Sequence, residues 1–174
     1  MSITIIMGPM FSGKTTELRR RVNRFRIAGR RCVIIKHTID TRYASDLCCT
    51  HDGVTTAAVL SSTLCGAAIP TDCEVIGIDE GQFFDDLISF CDAMANRGVI
   101  VIVAALDSTY QRRPFGHVLE LVPLAEFVIK LLAVCVVCHG DAAFTGLVPG
   151  HHEPRGIQIG GAEMYRALCR RCYA

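Results

Sequence analysis

The chain has 174 residues, 51% of them hydrophobic, and its 18 Lys and Arg nearly balance 17 Asp and Glu. That length holds one α/β core with a small appended lobe and excludes the large motor ATPases. The even charge gives no global field that would gather a polyanion or an anionic membrane surface.

In chain order, residues 3–7 (Ile-Thr-Ile-Ile-Met) predict a buried strand and residues 15–28 a helix. Between them Gly8, Pro9, Met10, Phe11, Ser12, Gly13, Lys14 and Thr15 fit G-x-x-x-x-G-K-[ST], in the strand-to-helix context that a phosphate loop requires. Gly13 lets the backbone approach phosphate, and the helix N-terminus offers unpaired N–H groups. Lys14 adds charge toward the β- and γ-phosphates, and the Thr15 hydroxyl is a ligand for Mg²⁺. Residues 19–31 hold seven arginines. They read either as a nucleic-acid patch or as the solvated side of a helix that packs through Leu18, Val22 and Phe25; the helical spacing of those three favours packing.

Residues 32–36, 75–79 and 99–104 are further apolar strands, and helical segments separate several of them. Buried strands with intervening helices imply a parallel sheet covered on both faces, the P-loop α/β class. Residues 54–71, the longest uncharged stretch, carry six Ser and Thr with a Gly and a Pro, too polar for a membrane span. The N-terminal apolar run is too short for an export leader, so a cytoplasmic location and reduced cysteines are expected.

Asp79-Glu80 closes the strand at 75–79, where Asp79 is placed to orient Mg²⁺ directly or through water and Glu80 to accept a proton from an attacking group. The plain alternative is a solvated strand exit. A further apolar run, 127–137, leads out of the core. Of ten cysteines, Cys135 and Cys138 form one C-x-x-C pair and Cys169 and Cys172 another, 30 residues on. Two such pairs suit a tetrahedral Zn²⁺, and four thiolates leave no open position, which makes the metal structural. His139, His151 and His152 lie nearby and read as solvated loop residues. The expected organisation is a P-loop domain over 1–132 and a zinc-ribbon lobe over 133–174.

The GTPase signatures N-K-x-D and D-x-x-G are absent, and a helicase needs more chain. A small-molecule kinase fits; the alternative is an ATP-switched zinc-ribbon module that binds nucleic acid.

Several blocks together carry a resemblance that spans nearly the whole chain. They are residues 8–18 around the phosphate loop, Asp40-Thr41-Arg42-Tyr43, Asp79-Glu80-Gly81-Gln82-Phe83-Phe84, Ala105-Leu106-Asp107, Thr109-Tyr110-Gln111-Arg112, Pro114-Phe115-Gly116, Ile159-Gly160-Gly161-Ala162, Tyr165 and both cysteine pairs. The chain resembles the type II thymidine kinases, and its trimmed ends resemble a compact, poxvirus-like member. The resemblance implies transfer of the γ-phosphoryl group of ATP, with Mg²⁺, to the 5′-hydroxyl of thymidine, with Glu80 as proton acceptor and Lys14 and Arg42 beside the transferred phosphate. Asp40 would arrange Arg42.

It also implies that a loop between the zinc knuckles, about 142–165, closes over the base. Gly156, Ile157, Gln158, Ile159 and Gly160 would contact the base through backbone, followed by Tyr165. Met10 and Leu106 would line the 5-methyl pocket, and Phe83, Tyr110 and Phe115 the aromatic walls. A homotetramer, inhibition by thymidine triphosphate and no membrane or nucleic-acid partner complete what the resemblance implies. The chain departs from the family pattern after Phe144-Thr145, where Gly146-Leu147 replaces a basic pair, and at Pro149-Gly150-His151-His152 in the loop.

Overall fold

The computed structural model describes residues 1–39, 47–49, 55–150 and 160–174. Strand β1 (Ser2–Gly8) runs into the phosphate loop and helix α1 (Lys14–Ile27) leaves it, followed by β2 (Cys32–His37). Strands β3 (Leu47–Cys49) and β4 (Thr55–Ala57) form a separate antiparallel ribbon. Next come β5 (Val59–Ser61), β6 (Val75–Asp79), a 3₁₀ turn at Gly81–Phe83, helix α2 (Leu87–Asn96) and β7 (Ile100–Leu106). A 3₁₀ segment at Val118–Leu124 precedes β8 (Phe127–Lys130).

Among the described residues, six strands form one sheet in the order β5-β2-β6-β7-β1-β8, and every pairing in it is parallel. Parallel strands place all their carboxyl ends on one edge, so Gly8, Asp79 and Leu106 end on the same side, where ligands bind in open α/β sheets. Side-chain alternation splits the core into two layers. Ile3, Ile5, Ile76, Ile78, Val101 and Val103 meet α2 and the 118–124 segment on one face. Ile6, Ile34, Ile102 and Ala104 meet Leu18 and Val22 of α1 on the other.

The packing reading of the arginine-rich helix holds, since Leu18 and Val22 are fully buried and Glu17 binds Arg20 and Arg21. Two boundaries differ from expectation. The fourth predicted strand continues to Leu106 because its register with β1 runs on to Gly8↔Leu106. The run at 127–137 is not one passage: 127–130 pairs with β1 at the sheet edge, and the chain then turns away into a different pairing.

That second pairing joins β9 (Ala133–Val134) to β10 (Asp141–Ala142), and β11 (Phe144–Leu147) pairs with β12 (Tyr165–Leu168) ahead of the terminal turn α3 (Arg170–Tyr173). Ala133, Cys135, Ala142, Ala167 and Leu168 form a third apolar cluster of their own. No helix among the described residues is long and apolar enough to cross a membrane.

Candidate functional site

The phosphate loop is held open by backbone geometry. No side chain caps α1: Gly13 occupies the N-cap position in the left-handed region (φ 81°, ψ 20°). No cap side chain therefore competes with an anion at the positive end of the helix dipole. Gly8 has φ 147°, and a Cβ there would collide with the Leu131 carbonyl oxygen, so the loop starts where only glycine fits. The Lys14 ammonium and the Ser12 hydroxyl both donate to the Pro9 carbonyl, at 2.7 and 2.8 Å. Lys14 is thus folded over the loop it belongs to.

Across the sheet edge, the Thr15 hydroxyl donates to the Asp79 carboxylate at 3.0 Å from Oδ1 and 3.3 Å from Oδ2. Asp79 is 4% exposed. A buried carboxylate beside a hydroxyl at the helix start is an oxygen pair of the kind that takes a hard divalent cation beside phosphate. These residues fit Mg²⁺. Glu80 follows directly in the left-handed region (φ 54°, ψ 43°), a conformation uncommon for a non-glycine residue and concentrated at functional sites. Its N–H donates to Asp79 Oδ1, at 3.1 Å, and its own carboxylate accepts from the buried Gln82 amide. The sharp reversal explains why neighbouring carboxylates serve different positions: Asp79 ends the strand while Glu80 has already left it.

The three residues expected as aromatic walls, with Tyr165, fall into two pairs. Phe83 and Phe115 pack edge to face with centroids 5.6 Å apart, and Tyr110 and Tyr165 lie 6.5 Å apart. Burial pushes the Tyr165 phenol up from its ordinary range. Leu106 is half-buried at the end of β7, and Gly160 is buried ahead of β12. Met10 is half-buried, and its N–H donates to Thr145 Oγ1 at 2.9 Å, tying the phosphate loop to β11. Asp40, Arg42, Gly156, Ile157, Gln158 and Ile159 lie outside the described residues, as do His151 and His152.

The two cysteine pairs meet. The Sγ atoms of Cys135, Cys138, Cys169 and Cys172 lie within 4.8 Å of one another, and Cys138 and Cys169 are 3.6 Å apart. A Zn²⁺ bonded to sulfur at ~2.3 Å spans tetrahedral edges of ~3.8 Å, so the set fits such an ion. Backbone N–H groups of Cys169 and Cys138 hold the Cys135 thiol down at about 6, whereas the Cys169 sulfur pushes Cys172 up to about 12. Sulfurs this close resist full ionisation together until a cation neutralises them. His139 is exposed and is not one of the four.

Sequence reasoning missed three features. Gln82 links Glu80 to the Leu106 N–H. Thr145 reaches Met10 over 135 positions, a separation at which local pattern carries no signal. The third is a clamp: the Arg112 guanidinium lies 4.4 Å from the Tyr173 ring centre and 5.6 Å from that of Phe144, while the Tyr173 hydroxyl donates to the Tyr110 carbonyl. A cation over aromatic faces thereby fastens the 107–116 segment to the cysteine lobe. Only Gln82 had a visible cue, as a polar residue inside the turn that follows Asp79-Glu80.

Comparison with known proteins finds a matching family and several relatives. The sequence model of the family described as "Thymidine kinase" matches residues 1–173. The human protein named "Thymidine kinase, cytosolic" is 54% identical over 172 residues, covering 98% of this chain and 72% of its own. A thymidine kinase of monkeypox virus is 53% identical over 174 residues, covering 98% and 96%. That of vaccinia virus strain Ankara is 51% identical over 173 residues with the same coverage.

Proposed function

Since the chain belongs to the thymidine kinase family and is a nucleoside kinase, we propose that it transfers the γ-phosphoryl group of ATP to the 5′-hydroxyl of thymidine. The contact between Thr15 and buried Asp79, with Glu80 next in the chain, is the observation that carries this reading. It supports a triphosphate lying along the loop with a cation at one side and a base at the other.

In this reaction the loop N–H groups and Lys14 cradle the phosphates. Thr15 and Asp79, the latter directly or through water, would hold a Mg²⁺, which would supply positive charge beside the β- and γ-phosphates. Glu80 accepts the 5′-OH proton while O5′ bonds to the γ-phosphorus and the bond to the departing ADP oxygen breaks. Arg42, arranged by Asp40, stabilises the transferring phosphoryl group. Met10 and Leu106 enclose the 5-methyl group, Phe83, Tyr110 and Phe115 form the walls, and Tyr165 with the backbone of 156–160 closes over the base. Cys135, Cys138, Cys169 and Cys172 would hold a structural Zn²⁺, and the two knuckles so joined would pin both ends of that closing segment and lower its ordering cost. The separate apolar cluster supports a division into a kinase domain at 1–132 and a zinc lobe at 133–174.

We extend the reading to assembly, control and place. The sheet-edge strand β8 leaves Phe127 58% and Val128 40% exposed, which supports a homotetramer that covers them. Thymidine triphosphate inhibits by placing its base in the thymidine pocket and its phosphates toward the loop. The name of the human relative supports a cytoplasmic site of action. The nucleic-acid alternative is disfavoured by α1, whose apolar stripe is buried and whose Arg20 and Arg21 are engaged by Glu17.

The test is a nucleoside panel with MgATP. Thymidine is phosphorylated in preference to deoxycytidine and purine nucleosides, and Glu80→Gln lowers kcat by about 10²- to 10⁴-fold while ATP binding persists. Absence of thymidine phosphorylation, with salt-sensitive polynucleotide binding, would overturn it.

A further inference from the structure

A glutamate that acts as a base has a rotatable stem, so its efficiency depends on what fixes its carboxylate relative to the substrate. The end of β6 supplies such a fixture. Gln82 is 4% exposed, and its Nε2 donates to Glu80 Oε2 at 2.6 Å. Its Oε1 accepts from the Leu106 N–H at 2.9 Å. The amide can sit only one way round: a main-chain N–H donates and never accepts, so oxygen must face Leu106 and nitrogen must face Glu80. Burial denies the amide water as a competing partner.

The turn that carries Gln82 is itself confined. A Cβ on Gly116 would collide with the Gln82 carbonyl oxygen, and one on Gly81 would come within 2.7 Å of Val103 Cγ1. The backbone of 81–82 thus packs against β7 on one side and the 116 turn on the other. Held from both ends, the side chain transmits the position of the β7 terminus to the carboxylate of Glu80.

We propose that Gln82 is a positioning residue for the phosphoryl transfer: its amide, fixed by the Leu106 N–H, engages Oε2 of Glu80 and holds that carboxylate in the orientation in which it meets the incoming hydroxyl. The inference rests on the reading of Glu80 as the base. The same amide fixes Leu106, so the wall beside the nucleoside and the base move as one piece.

The experiment compares Gln82→Met, which lacks donor and acceptor, with Gln82→Glu, which keeps an acceptor for the Leu106 N–H but sets a second carboxyl beside Glu80. Both are measured in the full chain with MgATP and thymidine. Expected is a fall in kcat of about 10- to 100-fold in each, with both KM values within about threefold of the parent. The decisive readout is the double variant Glu80→Gln with Gln82→Met, which falls no further than Glu80→Gln alone, because a residue acting through Glu80 has nothing left to position.

A further fall in the double variant, or KM and kcat worsening together in step with the melting temperature, assigns Gln82 a purely structural role and overturns the proposal. So does a kcat within threefold of the parent in either folded variant. Should Gln82→Met fail to fold, Gln82→Glu and its double with Glu80→Gln carry the same test. If Glu80→Gln itself retains turnover, the reading of the base fails first, and the two failures are distinguished by that single control.

Discussion

The phosphate loop and the cysteine lobe both prepare the protein for a charged ligand, yet by opposite means. The loop is local: eight consecutive residues between β1 and α1 build an anion site from main-chain N–H groups, anchored in a sheet whose central strands are largely buried. The lobe is assembled: four sulfurs from two segments converge around a small apolar cluster. An anion site made of backbone survives without its ligand because the sheet holds it. A site made of mutually repelling thiolates needs its ion to become a structure.

The largest expected effect breaks that asymmetry directly. On the zinc site proposed above, stripping the metal with a chelator, or Cys138→Ser, unpins the lobe, so the proposed closing segment must be ordered each time thymidine binds. That ordering costs about 2–5 kcal/mol, a loss of roughly 30- to 4,000-fold in thymidine affinity. MgATP affinity stays within a few-fold, because the loop rests on β1 and α1. Calorimetric titration of each ligand, with hydrogen exchange over 133–150, checks both halves; parallel loss of the two affinities would mean that loop and lobe fold as one unit through the contact between Met10 and Thr145.

Attacking the loop instead gives the next effect. Gly8→Ala must place its Cβ against the Leu131 carbonyl, and that segment cannot retreat because the Leu131 N–H is bonded to Met7 at 2.8 Å. Strain of this kind costs about 2–5 kcal/mol. In a chain of this size that lowers the melting temperature by roughly 5–15 °C. Thermal unfolding measures it, and unlike metal removal the loss falls on the whole sheet. A variant that melts with the parent would show that the edge beside β8 yields more readily than its hydrogen bonding implies.

The same asymmetry explains what the sequence could reveal. The loop, the strand ending in Asp79 and the buried stripe of α1 were legible because each is a short-range pattern: a motif in context, an apolar run, a helical spacing. The cysteine pairs were legible for a chemical reason, since few roles other than metal binding call for two C-x-x-C pairs in a chain expected to be reduced. Gln82, Thr145 and the Arg112 clamp were not, because their partners are fixed only once the sheet is built. The split of the 127–137 run was hidden too. Apolar composition alone does not reveal that 127–130 forms a sheet edge and 133–134 a different pairing.

The smallest effect concerns the arginines of α1 and sharpens why Lys14 alone among the charges of that helix belongs to the loop. Glu17 stands in the first turn, where a carboxylate suits the helix dipole but would repel a phosphate bound at the same end. Arg20 grips both its oxygens, at 2.6 and 2.8 Å, and Arg21 adds a contact at 2.7 Å. Led by the Arg20 hydrogen bond, these hold the Glu17 carboxyl down at about 2 against an ordinary 4.5. A folded-state value below the unfolded one stabilises above about 4.5, and that contribution is lost as the pH falls through about 2. Because Arg20 is exposed and its charge screened, Glu17→Gln costs only about 0.5 kcal/mol at pH 7. Urea unfolding at pH 7 and near pH 2 should show the difference between parent and variant shrinking toward zero, while the KM for ATP moves less than about threefold, since the arginines had already cancelled the charge that phosphate would meet. A large rise in that KM would instead make Glu17 part of the phosphate site and erase the boundary between the loop and the helix that follows it.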